Sequence, residues 1–473
     1  MTPVAKTRKS TISPARTAAF SVLLRVERED SYASELLHAS AHEDLSTRDH
    51  GLATELVMGV LRWKSRLDEE IAAFSSQPLP KLDLEILVAL RLALYQFRHL
   101  DRIPKHAALN DSVELVKQAR KRSAAPFVNA VLRKLSTAVP KPTDHDPQIS
   151  TGILARAFAH PSWLVERWTN EFGLATAQKI CEYDQTVPQT AIRLRTFLSP
   201  TTADAELRQE EITFTPGNFL STARRVESGD VAKTQAFRNG HIAIQDEGSQ
   251  LVAALAAQDA GAHTKILDCC AAPGGKTLAL ADRNPQAAIL AAELHPHRAR
   301  LLKKLLGSSS SSISIVAADA RSLPTAVRFD RVLADVPCSG TGTLARNPEI
   351  KWRLRREDLI DLQARQCAIL KAALAQVAPG GRVIYSTCSL EREENEAVIE
   401  KVLREHNSFR LIDCRGELDR LRAAGELVWN DLESLTRGPY LRTIPGIHPC
   451  DGFFAAILEK PGSDPAYSAS SRA

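Results

Sequence analysis

Residues 265–277 read KILDCCAAPGGKT, and this stretch decides the fold of the second half of the chain. Lys265–Cys270 closes a buried strand, and the glycines after it let backbone N–H groups approach a ligand where a helix begins. A Walker-type phosphate loop needs a glycine where Cys270 stands, and the G-x-G-x-x-G spacing of dinucleotide-binding proteins is absent. S-adenosylmethionine (SAM) is the cofactor class that remains. The predicted binding residues are Cys270, Ala271, Ala272, Pro273, Gly274, Gly275 and Lys276.

Three carboxylates follow this loop, each at the end of an apolar stretch. Glu293 stands where a carboxylate binds ribose hydroxyls in related folds. Asp319 is predicted to accept a hydrogen bond from the adenine amine, and Asp335 to face the methionine end of the cofactor. A single carboxylate at a strand end is more often a cap or turn residue than a ligand. Three of them in register with a glycine loop favour a cofactor site.

Two cysteines also follow short apolar stretches that are predicted to be strands. Cys338 lies in DVPCSG, residues 335–340, and Cys388 lies in YSTCS, residues 385–389. Ligands and catalytic groups gather at the carboxyl ends of the strands in an open α/β sheet. Two thiols at one such edge indicate covalent chemistry.

The composition excludes several other classes of protein. No C-x-x-C pair is present, which argues against zinc ribbons and thioredoxin-like proteins, and we predict no metal. No uninterrupted apolar stretch approaches 18 residues, so we predict no membrane association. No signal peptide is recognised, so a reducing cytoplasm is the expected location, and we predict a monomer. Net charge is +5, which permits a nucleic-acid partner without requiring one. The remaining cysteines are interpreted as packing residues (Cys181, Cys269, Cys367 and Cys414) or left unassigned (Cys450).

The pattern along the chain predicts a multidomain protein. Residues 1–140 have the apolar periodicity of an all-α bundle, with start signals at Ser13-Pro14 and Ser46. Pro140–Pro147 is a predicted linker, and residues 148–240 are a predicted small α+β module of RNA-binding type. Residues 241–460 alternate strands and helices, as in a doubly wound α/β domain. A surface loop at Ser308–Ser312 and a disordered tail, residues 461–473, complete the prediction.

The motifs resemble those of a known family. The loop of residues 267–277, DVPCSGTG from Asp335 and YSTCS from Tyr385 are similar to motifs I, IV and VI of the RNA 5-methylcytosine methyltransferases, and Asp451–Phe454 to their closing strand. The helical front end resembles the NusB-type RNA-binding fold at RTAA from Arg16 and at residues 107–114 and 127–132. Together these features resemble the members that methylate 16S rRNA. The sequence departs from the pattern at the doubled Cys269-Cys270 and at the serine run. Cys270 is predicted to line the cofactor site through its backbone, and the serine run has no predicted chemical role.

The resemblance implies a SAM-dependent transfer of a methyl group to carbon 5 of a cytosine in 16S rRNA. It also implies that Cys388 attacks the base and that Cys338 assists release of the product. The motifs alone leave that order open, because a proline-cysteine pair carries the nucleophile in DNA cytosine-5 methyltransferases, which favours Cys338.

Basic residues indicate where RNA binds. Arg120, Lys121, Arg122, Arg133 and Lys134 form a basic neighbourhood in the helical region, although such runs are usually a solvated helix face. Trp352, among Lys351, Arg353, Arg355 and Arg356, is either a platform for an unstacked base or an anchor for a lid. Two other functions remain open: a methyltransferase for tRNA or another rRNA site, and a non-catalytic NusB-like RNA-binding factor.

Overall fold

The computed structural model describes residues 12–29, 31–37, 44–139, 150–258, 263–306 and 312–462. The predicted linker at Pro140–Pro147, the serine run apart from Ser312, and the predicted tail from residue 463 lie outside the described residues. In the described ranges, no helix is both long enough and apolar enough to cross a membrane.

The helices are numbered in chain order. They are α1 (Pro14–Glu29), α2 (Ala33–Leu37), α3 (Thr47–Phe74), α4 (Leu84–His99), α5 (Lys105–Gln118), α6 (Ala125–Thr137), α7 (Thr151–Ala157), α8 (Ser162–Phe172), α9 (Leu174–Asp184), α10 (Pro200–Gln209), α11 (Gln235–Arg238), α12 (Glu247–Ala257), α13 (Gly275–Arg283), α14 (Pro296–Leu306), α15 (Ile350–Arg353), α16 (Asp358–Gln376), α17 (Glu396–Glu405) and α18 (Cys414–Ala423).

The strands are numbered in the same way. They are β1 (Thr190–Leu194), β2 (Thr213–Pro216), β3 (Ala223–Ser228), β4 (Ile242–Ile244), β5 (Lys265–Asp268), β6 (Ala288–Glu293), β7 (Ile313–Ala317), β8 (Phe329–Asp335), β9 (Val377–Thr387), β10 (Arg410–Ile412), β11 (Thr436–Arg437), β12 (Tyr440–Thr443) and β13 (Phe453–Glu459).

The described residues divide into two compact units. The first contains those up to Val187 together with Leu344–Arg353, and the second contains Pro188–Thr343 and the residues from Leu354 onward. The division falls inside the module predicted over residues 148–240. Helix α7 lies in the first unit, where Arg156 pairs with Glu69 of α3. The segment Leu344–Arg353 follows the Cys338 motif in sequence, yet it packs in the first unit.

The first unit is the helical bundle that the apolar periodicity predicts. Buried aliphatic side chains of α1 to α6 form one core. Helix α1 begins at Pro14, and the Ser46 hydroxyl accepts a hydrogen bond from the Asp49 N–H (3.1 Å), as the start signals predicted. Two residues that carry the NusB resemblance meet here, because the buried Arg16 guanidinium donates to the Asp111 carboxylate at 2.7 Å.

The second unit contains an antiparallel sheet of order β2-β3-β1-β4. In the sequence, apolar and polar side chains alternate from Thr190 to Phe197, with Ile192 and Leu194 opposed to Arg193 and Arg195, which predicts a strand. Strand β1 covers the first part of that range. The arginine face is buried as well, since Arg193 and Arg195 both donate to the carboxylate of Asp282 on α13, at 2.5 and 2.7 Å. These ion pairs tie the small sheet to the helix that follows the glycine loop.

The other sheet of this unit is the predicted doubly wound one, closed by an antiparallel strand. Its order is β11-β12-β13-β9-β8-β5-β6-β7, with β10 beside β13. Strands β5 to β9 pair in parallel, and β13 pairs antiparallel to β9. The strand order reverses between β5 and β8. In open α/β sheets such a switch point opens a crevice at the carboxyl ends of the strands, where ligands bind.

Candidate active site

The glycine loop lies at this switch point, between β5 and α13. Backbone hydrogen bonds hold it to both flanking strands, from Cys269 N to Leu333 O (2.8 Å) and from Ala271 N to Ala292 O (2.9 Å). Gly274 precedes α13 with a φ of 115°, and a Cβ there would lie 2.5 Å from the Leu302 side chain. Only glycine fits this position. The loop therefore presents the positive end of α13 at the crevice.

Asp335 is paired at the end of β8. Its Oδ2 lies 2.8 Å from Lys276 Nζ, and its Oδ1 accepts a hydrogen bond from the Ser386 hydroxyl at 2.7 Å. Burial alone would lower the pKa of Lys276, but the Asp335 carboxylate outweighs it and raises that pKa above its usual value. Two residues predicted to bind the cofactor are thus an ion pair.

The other two predicted carboxylates lie at the ends of neighbouring strands. Glu293 is the last residue of β6, is buried, and accepts from the backbone N–H of His295 at 3.0 Å. Asp319 follows β7 and caps the turn after it. Hydrogen bonds from Arg321 lower the pKa of Asp319. Asp319 therefore has the local partners of a cap residue, and its contact with adenine stays a prediction.

Sequence reasoning missed Asp268, the last residue of β5. Its side chain is fully buried, and Oδ2 accepts from the Thr277 hydroxyl at 2.7 Å. Among the described residues, Oδ1 has no hydrogen-bond partner. Burial raises the pKa of Asp268 to about 7. The signal for it was its position, since it ends the strand that delivers the glycine loop.

The two candidate thiols meet at the same sheet edge. Strands β8 and β9 pair in parallel with Asp335 opposite Ser386, so the chain segments that follow them run side by side. The Cys338 and Cys388 sulfur atoms lie 3.2 Å apart. The backbone N–H of Gly342 donates to Cys388 O at 2.9 Å and holds the two loops together.

The surroundings of the two sulfurs differ in charge. The hydrogen bond with Cys388 and burial raise the pKa of the Cys338 thiol well above its usual value, and the negative charge of Glu394 adds to this effect. The ammonium of Lys276 interacts electrostatically with Cys388. Negative charge is therefore disfavoured at Cys338, while a cation is available to Cys388.

Sequence reasoning also missed Glu394, which belongs to the run EREENE from Glu391. The side chain is completely buried and accepts hydrogen bonds from residues of both cysteine loops. An acidic run is usually a solvated helix face, and only its position six residues after Cys388 set it apart. Of the remaining cysteines, Cys181, Cys269, Cys367, Cys414 and Cys450 are buried, and Cys270 is partly buried.

Trp352 and its neighbours are hydrogen-bonded within the first unit. Its indole N–H donates to Leu61 O at 2.6 Å. The neighbouring Lys351 is buried and donates to Arg62 O at 3.0 Å. Arg353 donates to Val26 O at 2.6 Å. Trp352 therefore anchors the segment Leu344–Arg353 in the helical unit, and both predicted roles, a base platform and an anchor for a lid, stay predictions.

The basic neighbourhood of the helical unit is at the surface. Arg120, Arg122, Arg133 and Lys134 are exposed, and Lys121 is half-buried and pairs with Asp83 at 3.0 Å. The described residues contain no group of three or more His, Cys, Asp or Glu side chains placed to hold a metal ion.

Three family descriptions match the chain in order. The NusB family matches residues 13–137, the Methyltr_RsmF/B-like ferredoxin-like domain matches residues 160–231, and 16S rRNA methyltransferase RsmB/F matches residues 252–459. They confirm the predicted fold class of a NusB-like bundle, a small α+β module and a Rossmann-like methyltransferase domain.

Individual proteins match over almost the whole chain. The probable ribosomal RNA small subunit methyltransferase B of Bacillus subtilis is 32% identical over 458 residues, covering 94% of this chain and 99% of its own length. The ribosomal RNA small subunit methyltransferase B of Vibrio cholerae is 30% identical over 455 residues, covering 94% and 97%. The crystal structure of PH0851 has the same fold, with a TM-score of 0.79, 23% identity, and coverage of 95% and 99%. The chain belongs to the 16S rRNA methyltransferase RsmB/F family.

Proposed function

We propose that this protein transfers a methyl group from SAM to carbon 5 of a cytosine in 16S rRNA. The observation that carries the proposal is the pair of sulfur atoms 3.2 Å apart at the switch point, beside the glycine loop. Family membership supports the reaction class, since the relatives are named as ribosomal RNA small subunit methyltransferases.

The residues at the crevice fit SAM in chemistry and in placement. The loop between Cys270 and Lys276 would offer backbone N–H groups, and Glu293, Asp319 and Asp335 lie at the ends of the strands on either side. The buried Asp268 Oδ1 adds an acceptor without a partner among the described residues. SAM would supply an electrophilic methyl group on a sulfonium. The acidic strand ends suit its ribose hydroxyls and its cationic amine.

Cys388 is the proposed nucleophile, because a cation, Lys276, interacts with it, whereas the hydrogen bond with Cys388 and burial raise the pKa of the Cys338 thiol. Carbon 5 of cytosine is a poor nucleophile, but a thiolate that adds to carbon 6 turns carbon 5 into an enamine-like carbon. That carbon would take the methyl group, while the S–CH3 bonding pair stays on the sulfur of the cofactor. The carbon 5 proton then leaves to a base, and the electron pair of that C–H bond re-forms the ring double bond. The Cys388 sulfur departs from carbon 6 with its bonding pair, so the enzyme is regenerated.

Cys338 is the proposed helper of the second half-reaction. Its sulfur lies within contact distance of the sulfur that must leave. Once the Cys388 sulfur is bound to carbon 6, its negative charge no longer holds a proton on Cys338. The Cys338 thiol can then lose its proton to water, and the thiolate is a base suited to remove the carbon 5 proton. The ring face must also be reached, so the target cytosine has to lie in a loop or be flipped out of its stack.

The first unit is the proposed source of RNA affinity. Its exposed cations Arg120, Arg122, Arg133 and Lys134 suit contacts with phosphates, which carry affinity more than sequence specificity. Substrate choice between 16S rRNA and another RNA would then depend on both units.

The test is a denaturing gel of protein incubated with SAM and labelled 16S rRNA, 23S rRNA or tRNA. We expect Cys338→Ala to accumulate a covalent protein–RNA adduct on 16S rRNA, and Cys388→Ala to give none. Cys367→Ala changes a buried cysteine on α16 and should behave as wild type.

Other outcomes have distinct meanings. An adduct with Cys388→Ala alone would reverse the two roles. An adduct on tRNA or 23S rRNA would change the substrate. Methyl transfer to no RNA by the wild type, alongside tight RNA binding, would favour the non-catalytic binding factor.

A further inference from the structure

Glu394 joins the two cysteine loops through one carboxylate. The residue after Cys338, Ser339, donates its backbone N–H to Oε1 at 2.8 Å and its hydroxyl to Oε2. The residue after Cys388, Ser389, donates its hydroxyl to Oε2 at 2.5 Å. Gln366 of α16 donates to Oε1 at 2.8 Å. The Ser339 N–H and the Gln366 amide can only donate to the carboxylate, whereas the two serine hydroxyls can donate or accept.

The backbone of Glu394 is held to the same edge of the sheet. The hydroxyl of Tyr385, in β9, donates to Glu394 O at 2.6 Å. The next residue, Asn395, donates to Ser389 O at 2.8 Å and accepts from the Thr387 hydroxyl at 2.6 Å. The carboxylate is thus fixed at both ends, and it has little freedom to move away from the thiols.

A residue that only held the two cysteine loops together would not need a buried charge. Neutral side chains can satisfy hydroxyl and amide donors, whereas burying a carboxylate carries a large desolvation penalty. The negative charge of Glu394 acts on Cys338, and the ammonium of Lys276, which is paired with Asp335, interacts with Cys388. A carboxylate therefore acts on one sulfur, and an ion pair interacts with the other.

We propose that Glu394 is a positioning residue that holds the two cysteine loops in register and directs negative charge away from Cys338 to Cys388. This role rests on the proposed function, because it matters only if Cys388 attacks the base. Its physical basis is the shared carboxylate, which bonds both loops, together with like-charge repulsion. The hydrogen bond with Cys388 and burial raise the pKa of Cys338 most, and the Glu394 carboxylate adds to that effect. Glu394 acts through the cysteines.

The substitution Glu394→Gln removes the negative charge and keeps the shape of the side chain. The amide keeps the size of the side chain, its oxygen accepts from the Ser339 N–H and Gln366, and its NH2 can donate to the two serine hydroxyls, which then act as acceptors. The matched control is Glu393→Gln, which removes the same charge one residue earlier from a half-buried side chain. Folding of each variant is checked by thermal unfolding.

The readout is alkylation by limiting iodoacetamide from pH 6 to 10, without RNA or SAM, with the Cys338 and Cys388 peptides quantified by mass spectrometry. In the wild type we expect Cys388 to react before Cys338. In Glu394→Gln, Cys338 should react faster at each pH, and the preference for Cys388 should fall about tenfold. In turnover with 16S rRNA, kcat should fall about tenfold while KM for RNA stays unchanged. Glu393→Gln should match the wild type.

A second variant tests the opposite direction. Gln366→Met removes one donor from the carboxylate and one from Pro337 O, next to Cys338, and leaves the charge of Glu394 less compensated, so Cys338 should be alkylated more slowly. That result supports the proposal even if Glu394→Gln does not fold. Unchanged alkylation in folded Glu394→Gln, or no slower alkylation of Cys338 in Gln366→Met, would overturn it. Because alkylation uses no RNA, a failure of methyl transfer in the gel would reject the proposed function alone.

Discussion

Burial raises the pKa of a carboxyl group, because the charged form loses its contact with water, and Asp268 is such a group. In the folded protein its pKa is about 7, while the unfolded chain releases the proton near pH 3.8. The folded state therefore binds more protons between these values, and the free energy of unfolding should fall as pH rises through that window, by roughly 4 kcal/mol at most.

Asp268→Asn tests this dependence. The amide stays neutral at every pH and its oxygen can still accept from Thr277. We expect urea unfolding at pH 5 and pH 8 to give a smaller difference for the variant than for the wild type. Equal pH dependence in the two proteins would contradict the assignment.

The sequence predicted some residues and not others, for physical reasons. Cys338 and Cys388 were predicted to share an edge because parallel strands deliver their ends to one side of a sheet. Glu394 was not predicted, because an acidic run in a sequence usually indicates a solvated helix face. Only the tertiary packing shows that this side chain is buried. The role of Trp352 stayed open, since an indole among basic residues is compatible with both a base platform and an anchor.

Among the secondary-structure elements, β1 and α13 are joined by ion pairs that share one carboxylate. Asp282 is almost fully buried and binds both Arg193 and Arg195, so Asp282→Asn leaves two buried cations without their partner. Removing one member of a buried ion pair typically costs about 3–5 kcal/mol. We expect a loss of that size in urea unfolding.

The control for this variant is Asp419→Asn, which breaks an exposed pair with Arg415 on α18. An exposed i,i+4 pair is worth about 0.5 kcal/mol or less. Equal effects of the two substitutions would mean that the arginine face of β1 is hydrated. Alternation along β1 predicted which residues share a face, but a period of two does not tell whether the second face is covered.

On the scale of the whole molecule, Leu344–Arg353 belongs by sequence to the methyltransferase match and by packing to the helical unit. No pattern in one sequence could assign it, because neighbours in sequence need not be neighbours in a core. Arg353→Ala would leave the carbonyls of Val26 and Ser31 without this donor.

Loss of a buried hydrogen-bond donor costs about 1–3 kcal/mol. We therefore expect amide hydrogen exchange in α1 and α3 to become faster in Arg353→Ala, although the substitution lies in the methyltransferase match. Arg355→Ala removes an exposed cation two residues later and should leave those rates unchanged. Exchange that changes only in the β5–β9 sheet would contradict the packing.

Because Leu344–Arg353 packs in the first unit, the chain connects the two units more than once. The polypeptide passes between the two units at Val187–Pro188, at Thr343–Leu344 and again at Arg353–Leu354. A protease that cut the first of these links would leave Leu344–Arg353 in the larger fragment. The indole, ammonium and guanidinium groups of this segment would still be hydrogen-bonded to the smaller fragment. The two fragments should co-elute as a nicked complex, and separate genes for residues 1–187 and 188–473 should be able to rebuild it.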